Sequence, residues 1–285
     1  MVTPFSGEGE VDFAAHIRNV NRWNQRGLGG YVVLGSNSEA VYLTEKEKLQ
    51  LIEDTANNAA PNHLIVAGTG MESTRETIHL TNEAAKAGAQ AALIITPFYY
   101  AAKMSDQALI QHFTEVADAV RIPVLLYNVT KFTHINLSPA VVAKLSQHAN
   151  IIGMKDSSGS MPQLVQYQAV ADPSFQVLVG TASAWYPGLT LGVSAGIMAL
   201  ANCAPDECVE VQTLFDAGQH AEAEALYRRL FPVNQAVTAT YGVAGLKYAC
   251  ACRGFAGGYV RSPLSELENT ERKTIDRILE KAGLF

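Results

Sequence analysis

The sequence predicts an α/β protein in which eight parallel strands and their helices close into a (β/α)8 TIM barrel, followed by a C-terminal helical extension. Short apolar runs recur along the chain, and amphipathic helical patterns separate them. The runs are apolar at consecutive positions, which is typical of parallel strands that helices cover on both faces. A length of 285 residues suits one such barrel, since these domains commonly have about 250 residues.

Each predicted strand is one of the apolar runs, and capping signals mark several of the helices between them. The strands are Met1–Thr3, Gly30–Leu34, Leu64–Ala67, Ala91–Thr96, Val124–Asn128, Ile151–Lys155, Phe175–Val179 and Gly196–Ala201. The segments Thr44–Glu47 and Ser73–Glu76 fit the capping box, in which a hydroxyl and a carboxylate satisfy the first N–H groups of a helix. Ser138–Pro139 places proline at the first helical position. A doubly wound parallel sheet is the alternative that this pattern leaves open.

The chain after the eighth predicted strand has a helical pattern. Residues 205–285 contain three amphipathic stretches, Asp216–Leu230, Val243–Cys252 and Leu264–Ala282. One helix is needed to complete the barrel, and the remainder is expected to pack on it. We therefore predict a barrel over residues 1–217 and a C-terminal helical bundle over residues 218–285, within one structural unit.

Composition and charge argue against several classes of protein. The net charge is −6 and there is no basic run, so we expect neither nucleic acid nor a membrane as a partner. The longest apolar runs are too short to cross a bilayer. We see neither a signal sequence nor a transit peptide, although the abrupt apolar start leaves room for upstream residues. The four cysteines form no C-x-x-C pair, which indicates reduced thiols in a cytoplasmic protein.

The C-terminal ends of the strands are where (β/α)8 barrels carry their active sites. In this sequence those ends supply a lysine, tyrosines and small hydroxyl or amide residues, without a cluster of histidines and carboxylates. The seven histidines show no H-x-H or H-x-x-x-H pair, so no metal site is predicted.

Lys155 is the strongest catalytic candidate. It follows the apolar residues 151–154, and an amine in apolar surroundings is favoured in its neutral, nucleophilic form. Tyr127 ends the preceding strand, so its phenol can lie beside Lys155 and exchange protons. The turn at residues 35–37 offers N–H groups, a hydroxyl and an amide to a carboxylate. Taken singly, these features also fit a lysine reaching solvent, an aromatic plug and an ordinary turn; together they favour Schiff-base chemistry.

Three segments together resemble the dihydrodipicolinate synthase / N-acetylneuraminate lyase superfamily. They are Gly35–Glu39, Tyr127–Val129 and Gly153–Gly159, and the resemblance extends over nearly the whole chain. It implies that Lys155 forms an imine with the 2-oxo carbon of a small 2-oxo acid substrate. That covalent imine takes the place of a separate cofactor.

The same resemblance implies roles for further residues. Tyr127 acts as the acid/base, and Ser36 links it to Tyr99, which in the family reaches into a neighbouring subunit's site. Ile197 matches a position whose backbone carbonyl faces the lysine. The substrate is expected to contact Ser36, Asn37, Ser157, Gly180 and Ile197. With the aromatic pair Tyr99–Tyr100 on a predicted exposed loop, this implies a homo-oligomer, specifically a tetramer made of tight dimers.

Two positions bear on the substrate. Ser36-Asn37 resembles 4-hydroxy-2-oxoglutarate aldolase, whereas the synthases usually carry threonine at the second position. Phe132 stands where the lysine-biosynthetic synthase has an arginine that binds its aldehyde's carboxylate, and phenylalanine cannot pair with a carboxylate. Lys131 is adjacent, but in a segment expected to be extended it would point to the opposite side.

These features predict a class I aldolase that cleaves a 4-hydroxy-2-oxo acid to pyruvate and an aldehyde. The first choice of substrate is 4-hydroxy-2-oxoglutarate, which gives pyruvate and glyoxylate. Aldol cleavage of a 2-oxo-3-deoxy sugar acid and then dihydrodipicolinate synthesis are the enzymatic alternatives. The non-enzymatic alternative is a regulatory protein that binds pyruvate or another 2-oxo acid on the same barrel.

Overall fold

The computed structural model describes all 285 residues, Met1–Phe285. Its strands are β1 (Gly30–Val33), β2 (Leu64–Gly68), β3 (Ala91–Ile95), β4 (Val124–Asn128), β5 (Ile151–Asp156) and β6 (Gln176–Val179). Its helices are α1 (Phe13–Trp23), α2 (Glu45–Asn58), α3 (Thr74–Lys86), α4 (Asp106–Ala119), α5 (Thr130–Thr133), α6 (Pro139–Leu145), α7 (Met161–Val170), α8 (Trp185–Thr190), α9 (Pro205–Asp216), α10 (His220–Asn234), α11 (Gly242–Cys252) and α12 (Asn269–Lys281). The chain divides into two compact units, Met1–His63 with Met198–Phe285, and Leu64–Ile197.

The unit Leu64–Ile197 is built on a parallel sheet in which β2 to β6 lie side by side in chain order. All five residues of β4 are buried, as are the first four of β3. Successive helices α3, α4, α6 and α7 pack beside one another in the same order. The sheet is therefore parallel, and its strands β3 and β4 are almost wholly buried, as the sequence predicts for strands covered on both faces.

The first and eighth predicted strands are corrected by the structure, because neither forms a regular ladder. At the first, the Met1 ammonium donates to the Val32 carbonyl oxygen at 2.7 Å, but residues 1–3 are not a strand. At the eighth, Gly196 forms an isolated parallel bridge with Val179, and the segment Ala199–Asn202 is a 3₁₀ turn. The strand pairing at the eighth position is thus limited to a single bridge before the 3₁₀ turn.

The unit formed by the two chain ends contains α1, β1, α2 and the four helices α9 to α12. The helix predicted over residues 216–230 begins four residues later, as α10 at His220, because Gly218 adopts φ 76° and separates it from α9, which ends at Asp216. The last helix begins at Asn269, five residues later than predicted, where Glu268 and Glu271 form a capping box. The predicted division at residues 217/218 falls in the turn between α9 and α10, and the division into a barrel and a bundle stays a prediction.

Local capping signals predict helix starts well. Thr44 and Glu47 form the predicted capping box of α2, and Ser73 accepts a hydrogen bond from the Glu76 N–H at the start of α3. Ser138 caps α6, which has proline in its first turn. None of the twelve helices combines the length and the apolar content needed to cross a bilayer.

Candidate active site

Lys155 and Tyr127 occupy paired positions on the neighbouring strands β5 and β4. The Lys155 Nζ lies 4.3 Å from the centroid of the Tyr127 ring. Each residue is only 6% exposed. The amine and the aromatic ring therefore meet in surroundings from which most water is excluded, as the sequence predicts for a strand-end pair.

The residues that follow them, Asn128 and Asp156, are also paired and point to the other face of the sheet, because side chains alternate along a strand. Asn128 Nδ2 donates to Asp156 Oδ1 at 2.8 Å and to Asn136 Oδ1 at 2.9 Å. The Ser158 hydroxyl donates to Asp156 Oδ2 at 2.6 Å. Burial raises the pKa of the neighbouring Tyr167 phenol, which therefore stays protonated. This hydrogen-bond network fixes the two strand ends from behind the Lys155–Tyr127 pair.

Gly180, directly after β6, lies against the lysine side chain. Its N–H donates to the Asp156 carbonyl oxygen at 2.6 Å. A methyl group at Gly180 would collide with the Ser157 Oγ and would lie 2.9 Å from the Lys155 Cε. The Ser157 Oγ is buried and has no hydrogen-bond partner, so its hydroxyl is available to a ligand. Ile197 is held nearby in the sheet, since its N–H donates to the Val179 carbonyl oxygen at 2.9 Å.

Tyr99 and Tyr100 follow β3 on an exposed loop, and their side chains are 75% and 71% exposed. The two rings meet edge to face with centroids 5.0 Å apart. The Glu72 carboxylate accepts hydrogen bonds from the N–H groups of Phe98 at 3.0 Å and Tyr99 at 2.8 Å. The Glu72 carboxylate thus holds the loop that carries the aromatic pair, a contact that the sequence did not predict.

Ser36 and Asn37 belong to the other compact unit, in the 3₁₀ turn Ser36–Ser38 that follows β1. Both are partly exposed. The turn is closed by the Ser38 N–H, which donates to the Gly35 carbonyl oxygen at 2.9 Å, and it ends at Glu39. The five-residue motif is thus divided in position, with Ser36 and Asn37 partly exposed on the turn and Glu39 buried at its end.

The segment around Phe132 is not extended, contrary to the sequence expectation. Residues 130–133 form the single helical turn α5. Adjacent side chains on a helix are about 100° apart and not on opposite sides, and the Lys131 Nζ lies 5.6 Å from the centroid of the Phe132 ring. Phe132 is 48% exposed. Lys131 and Phe132 therefore do not point to opposite sides, as an extended segment would require.

Sequence reasoning missed the supporting residues, whose side chains hold strand ends, loops and turns in place through hydrogen bonds or an ion pair. They are Asn128, Asp156, Asn136, Gln163, Tyr167, Glu72, Glu39 and Lys247. Strand alternation could have identified the first two, since polar residues directly after Tyr127 and Lys155 must enter the opposite face. The other contacts join residues far apart in sequence. No group of three or more His, Cys, Asp or Glu side chains is arranged to hold a metal ion.

The chain matches a known protein family over almost its whole length. The model of the dihydrodipicolinate synthetase family matches residues 1–282. The 4-hydroxy-tetrahydrodipicolinate synthase of Methanothrix thermoacetophila is 35% identical over 282 residues, covering 99% of this chain and 94% of the relative.

Solved structures of dihydrodipicolinate synthases have the same fold as this chain. Dihydrodipicolinate synthase DapA-2 of Bacillus anthracis superposes with a TM-score of 0.94 at 29% identity, covering 98% of this chain and 95% of that chain. The chloride-inhibited synthase of Acinetobacter baumannii in complex with pyruvate gives a TM-score of 0.94 at 30% identity, covering 100% and 97%. With matches over the full chain in sequence and in structure, this protein belongs to the dihydrodipicolinate synthetase family and is a pyruvate-dependent carbon–carbon lyase.

Proposed function

We propose that this protein is a class I aldolase that cleaves a 4-hydroxy-2-oxo acid through an imine on Lys155. The observation that carries the proposal is the buried Lys155 Nζ at 4.3 Å from the Tyr127 ring centroid. The free amine of a lysine is a good nucleophile toward a carbonyl carbon. A phenol at its side is suited to proton transfer during both imine formation and bond cleavage.

The proposed reaction begins when the Lys155 amine attacks the 2-oxo carbon. Tyr127 donates a proton to the resulting hydroxyl, which leaves as water, and the protonated imine remains. The Tyr127 phenolate then takes the proton of the 4-hydroxyl group, and the C3–C4 bond breaks. Its electron pair enters the imine to give an enamine, while the 4-carbon leaves as an aldehyde. Protonation at C3 and hydrolysis release pyruvate and restore the amine.

The remaining groups serve binding in this proposal. Ser36 and Asn37 hold the carboxylate next to the 2-oxo carbon, and Ser157 contributes its hydroxyl from beside Lys155. Gly180 leaves the space that the lysine side chain needs. Tyr99 completes the proton relay with Ser36 across subunits of a homotetramer.

We propose 4-hydroxy-2-oxoglutarate as the first substrate, with pyruvate and glyoxylate as products, and a 2-oxo-3-deoxy sugar acid as the next. Phe132 argues against aspartate semialdehyde, since an unpaired carboxylate would cost about 1–3 kcal/mol. The distal carboxylate of 4-hydroxy-2-oxoglutarate meets the same objection, whereas the neutral chain of a 2-oxo-3-deoxy sugar acid does not. The Ser36-Asn37 turn, which resembles that of 4-hydroxy-2-oxoglutarate aldolase, keeps 4-hydroxy-2-oxoglutarate as the first choice.

Dihydrodipicolinate synthesis is the alternative reaction, which we place after the two aldol cleavages. It is favoured by the names of the curated relatives, such as the synthase of Methanothrix thermoacetophila at 35% identity. The two functions share the pyruvate imine and differ in the second substrate. Family membership also supports the predicted closed (β/α)8 barrel with its C-terminal helical extension, which we propose beyond the six observed strands.

The test of the chemistry is reductive trapping. Incubation with pyruvate and borohydride should add a reduced pyruvyl group to the peptide that contains Lys155. Lys155→Ala should abolish the adduct, whereas the matched control Lys86→Met, at a lysine that is 57% exposed, should keep it. Tyr127→Phe should still allow trapping but lower kcat about 10²–10⁴-fold. An adduct on another lysine, or none, would overturn the proposal.

The substrate is tested on one enzyme preparation. Values of kcat/KM are compared for 4-hydroxy-2-oxoglutarate, a 2-oxo-3-deoxy sugar acid, and pyruvate with aspartate semialdehyde. Pyruvate release is followed for the first two by coupled reduction, and pyruvate consumption for the third. The highest value for the condensation would assign the protein to the synthases and refute our interpretation of Phe132.

A further inference from the structure

Glu39 and Lys247 form a buried ion pair that the proposed reaction does not use. Glu39 ends the motif Gly35–Glu39, and Lys247 lies on α11 in the same compact unit. Their side chains are 1% and 2% exposed, and Glu39 Oε1 contacts the Lys247 Nζ directly. Burial lowers the pKa of Lys247, and the Glu39 carboxylate opposes that change.

Each charged group also has a further hydrogen-bond partner. Lys247 Nζ donates to the Tyr259 carbonyl oxygen at 2.5 Å, and Glu39 Oε2 accepts a hydrogen bond from the Arg261 N–H at 2.8 Å. The Phe5 ring lies below the cation, with Lys247 Nζ 4.4 Å from its centroid. Burying a pair of charges is weak evidence for a gain in stability, because desolvation offsets most of their attraction. A geometric role for the Glu39–Lys247 pair therefore explains its presence better than a gain in stability does.

The backbone of Glu39 supplies that role. Glu39 adopts φ 55° and ψ 35°, the left-handed conformation that is unfavourable for residues other than glycine. It ends one 3₁₀ turn, Ser36–Ser38, and begins the next, Ala40–Tyr42. Its N–H donates to the Ser36 carbonyl oxygen at 3.4 Å, and its own carbonyl accepts from the Tyr42 N–H at 2.9 Å. Such strained residues persist only where the surroundings hold them in place.

We propose that Glu39 and Lys247 are positioning residues that hold the Ser36–Asn37 turn in the shape that binds the substrate's 2-oxo carboxylate. The proposal rests on the proposed function, in which that turn binds the carboxylate. The ion pair fixes the Glu39 side chain, the fixed side chain keeps the backbone left-handed, and that backbone closes the turn on Ser36. Without the pair, the turn can relax, and its N–H groups and side chains no longer converge on one anion.

The expected result is a rise in the concentration of 2-oxo acid needed for saturation with little change in the rate of the chemical steps. In Glu39→Gln the side chain keeps its size and its acceptor oxygen but loses its charge. In Lys247→Met the partner charge is removed. Each should raise KM for the 2-oxo acid and the pyruvate concentration for half-maximal trapping by about tenfold or more, the scale of a lost charge-assisted contact. We expect kcat to change less than about threefold, since an effect on binding alone leaves kcat unchanged.

The double variant Glu39→Gln with Lys247→Met separates positioning from simple stability. It buries no unpaired charge, so its Tm should recover toward the wild-type value, while KM should stay raised. The matched control is Glu207→Gln, which removes the partner of Arg253 at 2.8 Å in the same unit. It should lower Tm without changing KM.

Recovery of KM together with Tm in the double variant, or an unchanged KM in soluble single variants, would overturn the proposal. So would failure of the isosteric Glu39→Gln to fold, since the pair would then be a requirement of the fold. A wild-type protein that traps no pyruvate on Lys155 would instead refute the proposed function. At saturating pyruvate, all the variants should reach the full wild-type adduct.

Discussion

At the scale of single residues, Gly180 and Ser157 define the space in which the Lys155 side chain moves. A Cβ at Gly180 would collide with the Ser157 Oγ and lie 2.9 Å from the Lys155 Cε. We predict that Gly180→Ala lowers kcat/KM by about 10²-fold, the scale expected when a reacting group is displaced by about 1 Å. Pyruvate trapping measures the displacement directly, because a misplaced amine forms less imine.

The control for that substitution is Gly29→Ala, where a Cβ meets nothing within 4 Å. It should keep normal activity and trapping. Adding Ser157→Ala to Gly180→Ala removes the closest of the three contacts, that with the Ser157 Oγ, and should restore part of the lost imine; the contacts with Ser157 Cβ and Lys155 Cε, each 2.9 Å, remain. Equal activity of Gly180→Ala and the wild type would show that the lysine does not need this space.

Sequence reasoning at this scale correctly paired the two strand-end side chains that the proposed reaction uses. Lys155 and Tyr127 could be paired from strand order alone, because consecutive parallel strands with equal spacing bring their ends together. It missed the network around Asp156 and the partner of Glu39, since those contacts depend on where helices α7 and α11 pack. No local pattern in the chain encodes that packing.

At the scale of secondary structure, helices α1 and α2 are joined by a buried histidine. His16 is 1% exposed, and its Nε2 lies 2.8 Å from the Thr55 hydroxyl. That hydroxyl donates to the Leu51 carbonyl oxygen at 2.7 Å, so it accepts from His16, whose Nε2 must carry the hydrogen. Nδ1 is buried without a hydrogen-bond partner. A proton added there would therefore be a buried charge without an acceptor.

We predict that His16 makes the protein less stable as the pH falls from about 6.5 to about 4. Burial lowers the pKa of His16 from 6.5 to about 4, so in this range the unfolded chain binds a proton that the folded protein does not. The stability that neutral His16 contributes is fully present above pH 6.5. By pH 4, about 3 kcal/mol of the free energy of unfolding is lost. Urea unfolding should show that the wild type loses about 3 kcal/mol more stability between pH 6.5 and pH 4 than His16→Gln, which keeps the donor to Thr55. Parallel curves would contradict the prediction.

Helix starts that depend on residues close in sequence were predicted accurately. Strands that depend on pairing with residues far away in sequence were not. The start of α2 follows from Thr44 and Glu47, which are three residues apart. The first and eighth strands depend on neighbours far away in sequence, and at Gly196 only one bridge forms before the chain enters a 3₁₀ turn. The break at Gly218 was readable as a glycine helix end, but the helical pattern on either side concealed it.

At the scale of the whole molecule, the loop with Tyr99 and Tyr100 is the surface feature that a single chain does not explain. The two side chains are 75% and 71% exposed, and their loop is fixed by the Glu72 carboxylate. Large exposed aromatics on an ordered loop are typical of the central residues of protein interfaces. A loop that is already ordered loses little conformational entropy when a partner covers it.

We therefore predict that the protein is a homo-oligomer, most simply a tetramer of tight dimers, and that Tyr99→Ala with Tyr100→Ala shifts it to smaller species. Loss of two buried aromatic side chains commonly weakens an interface by about 2 kcal/mol or more each, enough to change its dissociation constant by more than tenfold. Light scattering at micromolar concentration measures the assembly. The matched control is Phe285→Ala, an aromatic residue that is 69% exposed, which should leave the mass unchanged. Activity should fall with dissociation, because Tyr99 is proposed to complete a neighbouring subunit's site, and a fully active wild-type monomer would refute both claims.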